Sequence, residues 1–76
     1  MQTTRTLNNK LRLWRTGQGL TLDEVAGLTG LSKAYLSRIE RGERQPAAFT
    51  KVVIARRLDC PVADLFYVEP IGEVSP

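Results

Sequence analysis

The stretch GLTGLSKAYLSRIERG, residues 27–42, decides the fold that this sequence predicts. Gly30 stands where a helix C-terminus favours a residue with left-handed backbone. Shortly after it, Ser32 can cap the start of another helix, on which Leu36 and Ile39 form the apolar face. Two helices are therefore expected to meet across a very short turn that contains a glycine.

The helix before this turn has its own start signal in TLDE, residues 21–24. Thr21 is expected to be the N-cap, and Glu24 completes a capping box in which each side chain binds the other residue's backbone N–H. Val25 and Ala26 then face the core. Two helices joined in this way are typical of a helix-turn-helix, and the alternative is an ordinary corner between helices.

Further helices are predicted on both sides of this pair. Before it, Leu7, Leu11 and Trp14 recur at helical spacing, and Thr4 or Thr6 can cap that helix. After it, a fourth helix is predicted from about Ala47 to Leu58, with an inner stripe of Ala48, Val52, Ala55 and Leu58. Pro61 suits the first position of a short fifth helix, PVADLF. The sequence thus predicts an all-α bundle of five short helices.

The composition narrows the function. A chain of 76 residues is one small domain, and we expect residues 1–68 to form it and residues 69–76 to be a flexible tail. Cys60 is the one cysteine, interpreted as a small buried apolar side chain, and there is no histidine. The commonest general base and metal ligands are therefore missing, and no glycine-rich phosphate loop is present. We expect neither an enzyme nor a site for a metal, a cofactor or a small-molecule ligand.

The sequence also predicts where the protein works. No apolar run approaches the roughly 20 residues that span a membrane. The opening MQTTRTLNNK has no apolar stretch of the kind found in secretory signals. We therefore expect a cytoplasmic protein, bacterial or encoded by a phage or plasmid, with no membrane partner.

Charge points to a partner. Eleven Lys and Arg residues against eight Asp and Glu residues give a net charge of +3, which fits a solvated surface or a nucleic-acid partner. The outer face of the third helix favours the second interpretation, because its side chains can reach phosphates and base edges. These residues are Ser32, Lys33, Ala34, Ser37, Arg38 and Arg41.

The segment GLTLDEVAGLTGLSKAYLSRIERGERQPAAFTKVVIARRLDCPVADLF, residues 19–66, resembles the phage-repressor family of Cro-like, XRE-type helix-turn-helix proteins. The resemblance covers about Leu7 to Phe66. It implies a five-helix, lambda-repressor-like bundle whose recognition helix, Ser32 to Arg41, lies in the DNA major groove. The base-reading residues that it implies are Lys33, Ala34, Ser37 and Arg38. The phosphate-binding residues that it implies are Ser32, Tyr35, Arg41 and Arg44.

The same resemblance implies an ion pair between Arg15 and Glu40 that ties the first helix to the recognition helix. Three positions depart from the family pattern. Leu22 stands where the family often has glutamine, Lys51 where it usually has leucine, and Phe49 where a polar residue is usual. Phe49 is therefore a candidate for contact with a partner subunit.

We expect a sequence-specific transcriptional regulator that binds double-stranded DNA. One recognition helix reads only a few base pairs, so a homodimer on a pseudo-palindromic operator is expected. The candidate dimer-interface residues are Phe49, Val62, Leu65, Phe66, Tyr67 and Val68. The alternative is an antitoxin or adaptor-type module whose helical surface mainly binds another protein.

Overall fold

A computed structural model of the protein describes residues 9–67. Within them the chain forms five helices: α1 (Leu11–Gly17), α2 (Leu22–Thr29), α3 (Lys33–Glu40), α4 (Ala48–Arg57) and α5 (Val62–Leu65). The predicted all-α, five-helix architecture is therefore confirmed. An isolated antiparallel bridge between Asn9 and Phe66 joins the two ends of the described chain.

The turn between α2 and α3 has the predicted local chemistry. The Thr21 hydroxyl accepts from the Glu24 N–H at 3.0 Å, and the Glu24 carboxylate accepts from the Thr21 N–H at 2.8 Å. Gly30 ends α2 at φ 80°, in the left-handed region that glycine adopts without strain. Ser32 caps α3, since its hydroxyl accepts from the Tyr35 N–H at 3.0 Å. The capping box and both caps are confirmed.

A buried threonine holds the same elbow together. Thr29 is 4% exposed, and its hydroxyl donates to the Val25 carbonyl at 2.8 Å. The same oxygen accepts from the Leu31 N–H at 3.3 Å, beyond the end of α2. One side chain thus binds the helix and the turn, which restricts the angle at which α3 leaves α2.

The core draws on all five helices. The fully buried large side chains are Leu11, Leu36, Ile39, Ile54, Leu65 and Val25. Trp14 and Tyr35 are partly buried and pack against this cluster. Because Leu36 and Ile39 are both fully buried, α3 is fixed against the bundle along one face and keeps the opposite face outward.

The start of α1 differs from the prediction. The helix begins at Leu11, and the side-chain oxygen of Asn9 accepts from the Leu11 N–H at 3.0 Å. The Asn9 amide group also donates to the Ile39 carbonyl at 2.8 Å. The N-cap of α1 is Lys10, and Asn9, the residue before it, supplies the side-chain bond to the first N–H of the helix. The predicted caps Thr4 and Thr6 lie with Leu7 outside the described residues.

Two of the four residues predicted to form the inner face of α4 are not buried. Ala55 and Leu58 are buried as expected, but Ala48 and Val52 are exposed, and Ile54 is fully buried in their place. The inward face passes through position 51, where Lys51 breaks the apolar pattern. Its stem is partly buried and its ammonium lies over the Phe66 ring, 5.6 Å from the ring centre.

The fifth helix is also shorter than predicted. It runs from Val62 to Leu65, and Pro61 is its N-cap rather than its first residue. Leu65 is fully buried and Phe66 is 3% exposed. Both side chains are thus core residues of the single chain, and they are unavailable for the dimer interface in which the sequence analysis placed them.

Candidate nucleic-acid interface

The outward face of α3 carries the four predicted base-reading residues. Lys33, Ala34 and Arg38 are exposed and Ser37 is partly buried. At about 100° per residue their side chains fall within an arc of roughly 140°. Leu36 and Ile39 project from the other side into the core. The structure therefore presents the four residues together on one continuous helical face.

The predicted phosphate-binding residues flank this face. Ser32 lies at the N-terminus of α3, and its hydroxyl proton stays available because the bond to Tyr35 uses the oxygen as acceptor. The Arg44 guanidinium lies over the Tyr35 ring, 5.3 Å from the ring centre. Arg44 itself is exposed. Stacking on the partly buried Tyr35 ring orients the Arg44 side chain, which lies beyond the end of α3.

The Arg41 guanidinium forms hydrogen bonds with both Glu43 and Ser37. Its Nε and Nη2 donate to the two carboxylate oxygens of Glu43 at 2.9 and 3.0 Å. Its Nη1 donates to the Ser37 hydroxyl. The hydrogen bonds from Arg41, reinforced by the nearby charge of Arg38, hold the pKa of Glu43 below its ordinary value. A base-reading and a phosphate-binding candidate are therefore linked to each other and to a carboxylate.

A second carboxylate lies at the other end of α3. The Lys33 ammonium is 3.5 Å from an oxygen of Asp23 on α2, and both side chains are well exposed. Sequence reasoning missed both partners, Asp23 and Glu43. Asp23 and Lys33 lie ten positions apart with the elbow between them, and no helical spacing relates Glu43 to Arg41. Only the abundance of acidic residues beside a basic helix could have drawn attention to them.

The ion pair between Arg15 and Glu40 is confirmed. Two bonds join the guanidinium and the carboxylate, at 2.7 and 3.1 Å, and Arg15 also donates to the Leu20 carbonyl at 2.9 Å. The hydrogen bond to Glu40 raises the pKa of Arg15 further. The side chains of the pair are only 12% and 5% exposed. The pair joins α1, α3 and the segment before α2.

The remaining dimer candidates divide by burial. Phe49 is 77% exposed and Tyr67 is 50% exposed, while Val62 is partly buried. Val52, which follows Phe49 by three positions on α4, is 43% exposed. Val68 lies outside the described residues. The exposed apolar surface of α4 therefore centres on Phe49 and Val52.

No group of three or more His, Cys, Asp or Glu side chains between residues 9 and 67 could hold a metal ion. None of the five helices has the length and apolar character needed to cross a membrane. Burial, with the nearby charges of Asp64 and Asp59, raises the pKa of the Cys60 thiol. The raised pKa lowers the fraction of thiolate, which is the reactive form of a cysteine.

Comparison with known proteins identifies relatives of this chain. Over 72 residues it is 35% identical to the HTH-type transcriptional regulator SutR of Escherichia coli. The match covers 95% of this chain and 39% of SutR. It is also 39% identical over 59 residues to the uncharacterized HTH-type regulator y4dJ of Sinorhizobium fredii, which covers 78% of this chain and 74% of that one. The chain thus spans well under half of SutR and about three quarters of y4dJ.

Solved structures share the fold. The restriction-modification controller protein C.AhdI of Aeromonas hydrophila superposes with a TM-score of 0.67 and 33% identity, over 72% of this chain and 83% of that one. An HTH_3 family transcriptional regulator of Vibrio cholerae gives a TM-score of 0.69 and 44% identity, over 72% of this chain and 31% of that one. The helix-turn-helix family model HTH_3 matches residues 11–65, which contain all five helices. The chain therefore belongs to the HTH_3, XRE-type family of helix-turn-helix transcriptional regulators.

Proposed function

We propose that this protein is a sequence-specific DNA-binding regulator that acts as a homodimer on a pseudo-palindromic operator, with α3 in the major groove. The observation that carries the proposal is the outward face of α3. It combines cations at both ends with small side chains between them, so the helix can approach the groove floor closely. The family membership and the named relatives also support a DNA-binding regulator, and they do not favour an antitoxin or adaptor module.

Within this proposal the residues on and beside α3 divide into two groups. The exposed face of α3 would read base edges, through Lys33, Ala34, Ser37 and Arg38. Arginine and lysine suit guanine, since its O6 and N7 both accept hydrogen bonds, and a small apolar side chain suits the thymine methyl group. The flanking residues would bind phosphates, through Ser32, Tyr35, Arg41 and Arg44. Phosphate contacts fix the register of the helix without reading sequence directly.

Dimerisation would supply the specificity that one helix lacks. Two α3 helices about 34–36 Å apart would enter successive major grooves. We assign the interface to the exposed apolar surface of Phe49 and Val52, with Val62 and Tyr67 as further candidates. Leu65 and Phe66 are omitted because they are buried within one chain. In a bacterial cell, where the DNA lies in the cytoplasm, a DNA-binding regulator would act in the cytoplasm.

Selection of bound sites from random duplex DNA tests the DNA-binding proposal. We expect a pseudo-palindrome whose half-sites are centred about one helical turn apart. The selected duplex should bind far more tightly than a scrambled duplex of the same composition. Selection that enriches no sequence, or equal affinity for both duplexes, would contradict sequence-specific binding.

Sedimentation equilibrium tests the dimer. We expect a wild-type dimer and a monomeric Phe49→Glu variant, since the substitution places a charge in the proposed apolar interface. Phe49 is largely exposed in the single chain, so the variant should still fold. Leu13→Glu is the matched control, because Leu13 is 73% exposed but lies on α1. A monomeric wild type at high micromolar concentration, or a monomeric Leu13→Glu variant, would contradict this interface.

A further inference from the structure

We infer that Glu43 is an internal competitor of DNA phosphate for Arg41, and that it thereby sets the affinity and salt dependence of DNA binding. The inference rests on the proposed function. It concerns a residue outside both the base-reading and the phosphate-binding groups. Its basis is the geometry of the charged side chains at the C-terminal end of α3.

The Arg41–Glu43 pair has the geometry of an arginine–phosphate contact. Two parallel N–H groups of the guanidinium bind two carboxylate oxygens, at 2.9 and 3.0 Å. A phosphate offers the same two-oxygen arrangement, and arginine binds both anions bidentately. Nη1 of Arg41 is bound to Ser37, so all three guanidinium nitrogens have partners. A phosphate that binds Arg41 through the same two nitrogens must displace the Glu43 carboxylate.

The backbone holds Glu43 in this position. Its N–H donates to the Arg38 carbonyl at 2.9 Å, which closes the turn after α3. Gly42, between the two partners, has φ 76°, a left-handed conformation that folds the chain back toward the helix. The carboxylate is thus attached close to the cation that it binds. Its local concentration is therefore high whether or not DNA is present.

The pair is also accessible and charged under physiological conditions. The Arg41 and Glu43 side chains are 52% and 53% exposed, so DNA can reach both. The pKa of Glu43 is lowered from the ordinary glutamate value. The carboxylate is therefore fully ionised near pH 7, and it competes with phosphate throughout that range.

The opposite end of α3 repeats the arrangement in weaker form. Asp23 lies 3.5 Å from Lys33, beyond good hydrogen-bond distance. Within residues 9–67, Arg38, which lies between Lys33 and Arg41 along α3, has no carboxylate within ion-pair distance. Carboxylates thus offset the cations at both ends of α3, Lys33 and Arg41, and leave Arg38 available. Sequence-independent attraction to DNA is reduced while the contact proposed for Arg38 is spared.

The test is the DNA affinity of Glu43→Gln over a salt series, measured on the selected operator and on scrambled duplex. Removing the competitor should raise affinity for both duplexes, and the salt slope should steepen by up to about one per subunit. For a dimer, in which both subunits change, that slope makes the affinity gain about tenfold larger at 50 mM salt than at 200 mM salt. Asp64→Asn is the matched control, because it makes the same charge change on α5. Thermal unfolding of each variant confirms that it is folded.

A double-mutant cycle with Arg41→Ala identifies the mechanism. If Glu43 acts through Arg41, the gain from Glu43→Gln should vanish in the Arg41→Ala background. An equal gain from Asp64→Asn would overturn the inference, because net charge alone would then explain the effect. Loss of operator affinity in Glu43→Gln would also overturn it, because Glu43 would then be orienting Arg41 and Ser37. If the wild type binds neither duplex, the proposed function itself fails.

Discussion

Two arginine–glutamate pairs at the C-terminal end of α3 have the same chemistry and different surroundings. Arg15–Glu40 and Arg41–Glu43 are both bidentate, with N–O distances from 2.7 to 3.1 Å. The side chains of the first pair are at most 12% exposed, and those of the second are about half exposed. Geometry alone therefore does not distinguish them. Burial makes the first pair a permanent link between helices and leaves the second open to exchange with another anion.

Of the variants that test this comparison, Arg15→Ala should change stability and DNA affinity most. It leaves the Glu40 carboxylate buried without its partner, and removing one member of a buried pair costs about 3 kcal/mol. We expect the free energy of unfolding to fall by about that amount and DNA affinity to fall with it, because Glu40 lies on α3. Urea denaturation and DNA titration measure the two effects.

Arg41→Ala is the matched control for that experiment. The same substitution in the exposed pair should leave the midpoint of unfolding nearly unchanged. Similar midpoints for Arg15→Ala and Arg41→Ala would show that burial does not separate the two pairs as we argue.

Arg38→Ala should have the next largest effect. Arg38 lies on the same helix face as Arg41 but has no carboxylate in bonding range within the described residues. An arginine that binds guanine O6 and N7 contributes roughly 1–3 kcal/mol of discrimination against a wrong base. The substitution should weaken operator binding much more than binding to scrambled DNA. Paired titrations on the two duplexes measure this, and equal losses would make Arg38 an anchoring residue.

Arg44→Ala should change the salt dependence with little change in specificity. Arg44 lies beyond α3, where the groove wall presents phosphates. Losing one such contact should reduce affinity for operator and scrambled DNA nearly equally, and flatten the salt slope by about one per subunit. Titrations over a salt series test this. A loss confined to the operator would assign Arg44 a base contact instead.

The smallest effect concerns the titration of Glu43. Its pKa is lowered in the folded chain, chiefly by hydrogen bonds from Arg41. The pair therefore stabilises the fold at neutral pH, and this contribution is lost as pH falls through the lowered pKa. Carboxyl NMR shifts followed from pH 7 to pH 2 should show the lowered pKa. In Arg41→Ala the pKa should return toward the ordinary value, and an unchanged pKa there would rule out Arg41 as its main cause.

Local signals made much of the fold predictable. The capping box of Thr21 and Glu24, the left-handed Gly30 and the Ser32 cap each depend on residues within a few positions of one another. Such interactions can be recognised without knowing the tertiary structure. The Arg15–Glu40 pair spans 25 positions, and only the family resemblance implied it.

Other features could not be predicted, for identifiable physical reasons. Lys51 occupies an inward position on α4, so the apolar spacing pointed to Ala48 and Val52 in place of Ile54. Phe66 was a candidate for the dimer interface, but its backbone pairs with Asn9 and its side chain is buried in the core of the single chain. The Arg41–Glu43 pair depends on the backbone turn at Gly42, which no side-chain spacing records.

The link between Asn9 and Phe66 has a consequence for protein engineering. The described chain enters and leaves the bundle at adjacent points, because these residues pair as antiparallel strands do and the Lys10 N–H donates to the Leu65 carbonyl at 2.7 Å. Joining residue 9 to residue 67 by a short linker and opening the chain elsewhere should therefore leave every described helix in place. A circular permutant opened between α3 and α4 should fold to the same bundle, with new termini next to the end of the recognition helix.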